Sequence, residues 1–237
     1  MAPTMQLYYA PTSPFSRKVR IIARELGLEG KIAEIMIDPW TDAALREHNP
    51  LAKVPTLVLE NGMAVFESAV ICDYLDEVAR ANSDGTGIIP QEGSERLNAL
   101  QWQGLSDGMM AATGRLFADS RRPENERSDF VMDRQHAAVQ RSIDAIEGGI
   151  LSLAAGRPDI GTLSVAAALE YVDFRWPDGR FAISDELRHW MAALADRPSM
   201  IATRYHLFRL DRPDLHGCDI ARAVYTGYSV VWLPNVL

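Results

Sequence analysis

Cysteine is scarce in this chain: there are two, Cys72 and Cys218, in 237 residues. Neither has a CxxC partner or a metal-ligand spacing, so they suit a reducing compartment better than a disulfide scaffold, and no metal is expected. Positive charge is also short. Lys and Arg number 24 against 32 Asp and Glu, a net charge of −8. A nucleic-acid surface needs clustered basic residues to replace phosphate counterions, and an anionic membrane surface needs them too. Neither partner is expected. Long apolar runs are missing as well. The opening MAPTMQLYY lacks a basic region followed by an apolar core, which predicts no signal peptide. The stretch 220–237 is fairly apolar but is broken by Arg222, Gly227 and Pro234, which argues against a membrane span. A cytoplasmic protein is the expectation.

What is present is an ordinary globular composition, 47% hydrophobic and 24% charged, long enough for one large domain or two small ones. Strand and helix signals alternate over the first 80 residues. A β-prone run at 5–10 precedes a helical spacing of Phe15, Val19, Ile22, Ala23 and Leu26, closed by Gly27. A second strand is predicted at 31–37. A short helix follows at 41–48, capped by Thr41 and stopped at Asn49-Pro50. Strands at 56–59 and 64–66 flank the hairpin signal Glu60-Asn61-Gly62, and a helix follows over 67–80. The order βαβ, α, ββα describes a small α/β sandwich. The segment 81–93 reads as a linker, and the chain beyond it as a helical bundle: 97–118, 129–155, a central apolar helix at 162–174, 184–195 and 199–208. The predicted units are an α/β domain over 1–81, a linker over 82–93, an all-helical domain over 94–212 and a C-terminal extension of unassigned role over 213–237.

Three segments carry chemistry. Ser13 lies between the first strand and its helix, where unpaired N–H groups and the helix dipole suit an anion. A hydroxyl there can donate to a thiolate. Ser13 followed by Pro14 is equally a preferred capping pair, so the residues alone leave both roles open. In NPLAKVPTL (49–57), Pro55 precedes strand residues. A cis Val54–Pro55 bond would turn the Val54 backbone toward a ligand, but few X–Pro bonds are cis. In FESA (66–69), Glu67 and Ser68 at a helix start would hold an amino-acid ammonium and carboxylate, or simply cap the helix.

Taken together, SPFSRKV, NPLAKVPTL and ESAVICDYL, in this order and spacing, resemble the glutathione-binding half of the cytosolic glutathione S-transferases, in a bacterial flavour with TSPFxRK that is distantly like the serine and omega types. The resemblance spans roughly 6–212. It implies a thioredoxin-like N-terminal domain followed by a helical bundle, glutathione as co-substrate, a hydrophobic electrophile and a homodimer. It places Ser13 in the catalytic Ser/Cys slot, Lys53 at the glycyl carboxylate, Val54 and cis-Pro55 at the cysteinyl backbone, and Glu67 and Ser68 at the γ-glutamyl end. Phe15 would line the mouth of the electrophile pocket, with Met109, Met110, Thr113 and Phe117 as its other wall. Asp107 would reach the partner subunit's glutathione; read alone, it is a solvated acid.

The implied activity is a glutathione transferase. A serine in the slot cannot form a mixed disulfide, which favours conjugation over disulfide reduction, since neither Cys72 nor Cys218 fills the role. Glutathione-dependent dehalogenation, isomerisation or peroxide reduction is the alternative, as is a non-catalytic interaction protein of the same fold. Two departures from the family stand out. Ala52 replaces a frequent Gly. The central bundle helix, GTLSVAAAL, lacks the usual Ser/Thr-x-x-Asp box at Ser164, which predicts a lost cap worth around 1 kcal/mol.

Overall fold

Strand and helix alternate from Met5, as the sequence pattern predicts. The computed structural model describes residues 3–82 and 87–207, with two further short strands near the C-terminus. The first elements are β1 (Met5–Tyr9), α1 (Pro14–Glu25), β2 (Ile32–Met36), α2 (Ala43–His48), β3 (Thr56–Val58), β4 (Ala64–Phe66) and α3 (Ser68–Asn82). The strands form one sheet in the order β2-β1-β3-β4. β1 and β2 are parallel, while β3 runs antiparallel to both β1 and β4. Leu7 and Leu57 face each other across β1 and β3 and are fully buried. This is a thioredoxin-like sheet with its helices.

Local chemistry explains the boundaries. Pro14 takes the first position of α1, where its missing N–H costs nothing. At the other end Leu28 N–H donates to Ala23 O and Gly27 N–H to Arg24 O, with Gly27 at φ +66. These two bonds close the helix, and the left-handed residue they need is the glycine. The cap of α2 is Asp42, not Thr41: Leu45 N–H donates to Asp42 Oδ1, while Thr41 Oγ1 donates to Asp38.

The second half is helical: α4 (Gly93–Ser120), α5 (Asp129–Gly148), α6 (Ile150–Ala154), α7 (Ile160–Arg175), α8 (Asp185–Ala195) and α9 (Pro198–Ile201). α7 is central, buried continuously from Ile160 to Leu169. It lies so close to α4 that a Cβ on Gly161 would sit 2.7 Å from Ala99 O. The expected loss of its cap is corrected. The helix starts earlier, and Asp159 accepts from both Thr162 N–H and Thr162 Oγ1. The predicted extension over 213–237 and Cys218 lie outside the described residues, apart from the paired strands β5 (Val224–Tyr225) and β6 (Val230–Val231).

The two halves share one apolar core, and α1 is the element between them. Its inner face, with Val19 and Ile22, packs in that core. Three of its charged groups pair with the helical half: Arg17 with Glu170, Lys18 with Asp107, and Glu25 with Arg197 and Ser199. Burial opposes ionisation of Glu25, but hydrogen bonds from Arg197 and Ser199 and the Arg197 charge outweigh it and hold the carboxyl below its ordinary 4.5. Glu34 is lowered in the same way: burial is overcome by Arg20 and Arg24. The unfolded chain therefore binds protons that the folded chain refuses. The stability these pairs add is complete above about pH 4.5 and is lost as pH falls through the lower folded values. Thermal unfolding should show a melting temperature that is level near neutrality and drops in acid. Glu25→Gln should make that drop shallower; an unchanged acid limb would remove Glu25 as a cause.

Candidate functional site

The register of the sheet sets the site. Tyr8 pairs with Thr56, and Thr56 with Phe66. The chain segments that leave the sheet beside this row are 10–13 after β1, Val54-Pro55 before β3, and Glu67-Ser68 after β4. Three stretches far apart in sequence thus emerge at one end of the sheet.

Ser13 is half-buried at the start of α1 with extended backbone, φ −84 and ψ 121. Ser16 N–H donates to its Oγ at 3.2 Å. Capping uses an oxygen lone pair and leaves the hydroxyl proton free. The two roles left open by the sequence are therefore compatible in one side chain.

The loop before β3 is built on Asn49, which is 1% exposed. Its Nδ2 donates to Lys53 O at 3.0 Å and Thr56 Oγ1 at 2.9 Å, and its Oδ1 accepts from Leu51 N–H. The Val54–Pro55 bond is cis. Val54 stands beyond both strand ladders, and the Lys53 side chain is exposed. Among the described residues, the two non-glycine residues with positive φ are Ala52 at +51 and Glu67 at +68, and both border this end of the sheet. Left-handed backbone costs an L-residue about 1 kcal/mol or more, and such strain gathers where a ligand is clamped. At Ala52 it explains why a glycine is the easier residue. Glu67 is exposed; its carbonyl accepts Ile71 N–H and opens α3, with Ser68 buried behind it.

Residues 12–78, which hold all three segments, match the family model "Glutathione S-transferase, N-terminal domain". The uncharacterized GST-like protein YibF of Escherichia coli (strain K12) is 30% identical over 174 residues, 72% of this chain and 83% of its own length. The chain belongs to the glutathione S-transferase family. Two structures of a family member from Pseudomonas fluorescens Pf-5 extend the likeness over 86% of this chain and 100% of theirs. One, with bound glutathione, has 35% identity and a TM-score of 0.79. The other, with bound S-(propanoic acid)-glutathione, has 32% identity and a TM-score of 0.75.

The remaining candidates of this transferase-family chain divide. Phe15 is half-buried against the core. Met109, Met110 and Thr113 on α4 are 1%, 1% and 0% exposed, inside the bundle rather than on an open wall. Phe117 is buried too, edge-on to Trp176 with centroids 5.8 Å apart. Asp107 is partly exposed but not free: Lys18 Nζ, fully buried, donates to its two oxygens at 2.6 and 2.7 Å. His48 meets the Tyr8 ring, with centroids 5.4 Å apart. Cys72 lies within α3; burial pushes its thiol up to about 12, so it is no nucleophile. Asn49, Lys18 and Arg175 were missed by sequence reasoning. Arg175 Nη2 donates to Thr12 O at 3.2 Å, beside Ser13. A signal existed only for Asn49, whose type favours turns.

A recess of about 570 Å³ lies elsewhere, lined by Arg80, Ile89, Glu95 and Arg157 among others. None of its lining residues belongs to the three segments. Among the described residues, no group of three or more His, Cys, Asp or Glu is gathered to hold a metal, and no helix is long and apolar enough to cross a membrane.

Proposed function

We propose that this chain is a glutathione transferase in which Ser13 holds the thiolate of glutathione for attack on a small hydrophobic electrophile. The observation that carries this reading is the Ser13 hydroxyl: it caps α1 through its oxygen and keeps its proton for a thiolate, at the end of the sheet where Val54 and Glu67-Ser68 also emerge. Glutathione would lie across the N-terminal domain, residues 1–81. Ser68 and the start of α3 would receive the γ-glutamyl carboxylate and Glu67 its ammonium. The Val54 backbone beside Pro55 would pair with the cysteinyl unit, and Lys53 would meet the glycyl carboxylate. Phe15 and Phe117 would border the electrophile, with Met109, Met110 and Thr113 packed behind them in the helical domain, residues 94–212. The two glutathione-family ligands of the Pseudomonas fluorescens protein support glutathione as co-substrate.

A free thiol titrates near pH 8.5, and each unit of depression needs about 1.4 kcal/mol of preferential thiolate stabilisation. One hydrogen bond to a charged group contributes roughly 1.5–3 kcal/mol. Ser13 and the start of α1 would thus bring bound glutathione to about 6–7, mostly thiolate at neutral pH. The protein then works by holding the electrophile beside the sulfur.

The reading extends to a cytoplasmic homodimer with a detoxifying role. Met63, Val70 and Leu97 are large, apolar and more than half exposed, which suits a covered face. The test of the central claim is a pH titration of the ultraviolet thiolate band of bound glutathione. A midpoint at about 6–7 is expected; a midpoint like that of free glutathione, or no binding, would overturn the reading.

A further inference from the structure

Arg175 borders the Ser13 loop, and two further arginines lie near it through shared aromatic rings. Arg175, the last residue of α7, is 5% exposed and donates to Thr12 O. Its guanidinium lies 4.6 Å from the Phe117 centroid, and that of Arg121, just past α4, lies 4.9 Å from the same centroid. Arg180 lies 4.7 Å from Trp176, the ring that meets Phe117 edge-on. Among the described residues, none of the three arginines forms an ion pair. The acids of α4 and α7 around them are committed elsewhere: Asp119 to Arg115 and Arg122, Glu170 to Arg17, Asp173 to Arg188.

Among the described residues, two buried groups here have no hydrogen-bond partner, Arg175 Nε and Trp176 Nε1, although the Arg175 guanidinium also packs on the Tyr171 and Phe174 rings. Both are donors with no capacity to accept. A ligand that met them would have to offer an acceptor. A buried guanidinium without an anion is costly, and the chain as a whole carries −8, so this patch runs against the molecule's own charge.

We propose that the electrophile carries a carboxylate, which Arg175 and Arg121 bind beside Phe117 while the carbon to be attacked faces the sulfur at Ser13. The proposal rests on the transferase reading above and names its substrate class. The planar, forked guanidinium matches a carboxylate through two parallel hydrogen bonds, and the Phe117 and Trp176 rings beside it offer apolar surface for the body of the electrophile. The carboxylate is not consumed. With a chloronitrobenzoate, the thiolate sulfur forms a bond to the ring carbon, the carbon–chlorine bond breaks, and chloride leaves with its electron pair. The thiol proton has already passed to solvent.

The experiment compares a chloronitrobenzoate with its neutral carboxamide, each kcat/KM divided by the uncatalysed rate with free glutathione. The wild type should prefer the acid. Arg175→Met should reduce that preference about 10- to 100-fold. Arg121→Met, at an exposed position, should reduce it by only a few-fold. Plain benzoate should inhibit conjugation of the carboxamide, and Arg121→Met should weaken the inhibition; this arm decides the matter if Arg175→Met does not fold. Equal normalised rates for acid and amide, or a preference that survives both substitutions, would overturn the carboxylate and leave glutathione transfer standing. A protein that conjugates neither compound and shows no bound thiolate would overturn the transferase reading itself.

Discussion

Ser13→Ala is expected to lower kcat for conjugation about 10- to 100-fold at neutral pH, the share of one hydrogen bond to a charged sulfur. It should also move the lower limb of the pH–rate profile toward the value of free glutathione, because the rate follows the thiolate fraction. The same change removes the acceptor of Ser16 N–H, so stability should fall by about 1 kcal/mol. Ser13→Asp separates the two effects. Aspartate is a good cap and brings negative charge to a helix start, so the melting temperature should return toward the wild type. It offers no donor to a thiolate and repels it, so activity should stay lost. Recovered activity in Ser13→Asp, or unaltered kinetics in Ser13→Ala, would make Ser13 a cap and nothing more.

The largest stability effect is expected at Asp107. Its carboxylate takes both oxygens to the ammonium of Lys18, whose side chain is 0% exposed against 25% for Asp107. Asp107→Ala strands a buried charge between α1 and α4, which costs about 3 kcal/mol. In a chain of this length that corresponds to a fall in melting temperature of roughly 6–12 °C. The double substitution Lys18→Met with Asp107→Leu removes both charges and fills the space, so most of the loss should return. A single variant that melts like the wild type would show that solvent reaches Lys18 and carries its charge. The pair also bears on the site, because α1 starts at Ser13 and Lys18 is one turn and a half further on.

Much of the architecture was legible because it rests on local rules. Ser13-Pro14 and Gly27 mark the ends of α1, Gly62 turns the β3–β4 hairpin, and Asn49-Pro50 ends α2. The apolar spacing of 14–26 found Val19, Ile22 and Ala23 of the inner face of α1 but missed the fully buried Ile21, and Phe15 and Leu26 are only partly buried. Other local readings failed where two candidates compete for one cap. Thr41 and Asp42 are adjacent, and the aspartate won because its carboxylate reaches Leu45 N–H while Thr41 turns back to Asp38. The start of α7 was placed too late, because the apolar run at 162–174 hides the turn before it, where Asp159 supplies the cap.

The sequence by itself determined the order of strands and helices in the α/β half, though in the helical half one helix read over 129–155 is two and the last ends at Ile201, and it determined the residue types that leave the sheet together at Ser13, Val54-Pro55 and Glu67-Ser68. Only the tertiary structure decided what the charges do. Long basic side chains are mostly exposed, and nothing in the local sequence marks Arg17 or Lys18 as exceptions. Both are buried, because the helical half covers their face of α1 and brings the acids that neutralise them. Lys18 finds Asp107 at a separation of 89 residues, and Arg175 finds Thr12 at 163. Periodicity reports on neighbours within a few turns. For Lys18 and Arg17 the neutralising acid is one that folding carries in from elsewhere in the chain, so their role becomes visible only once the chain has closed.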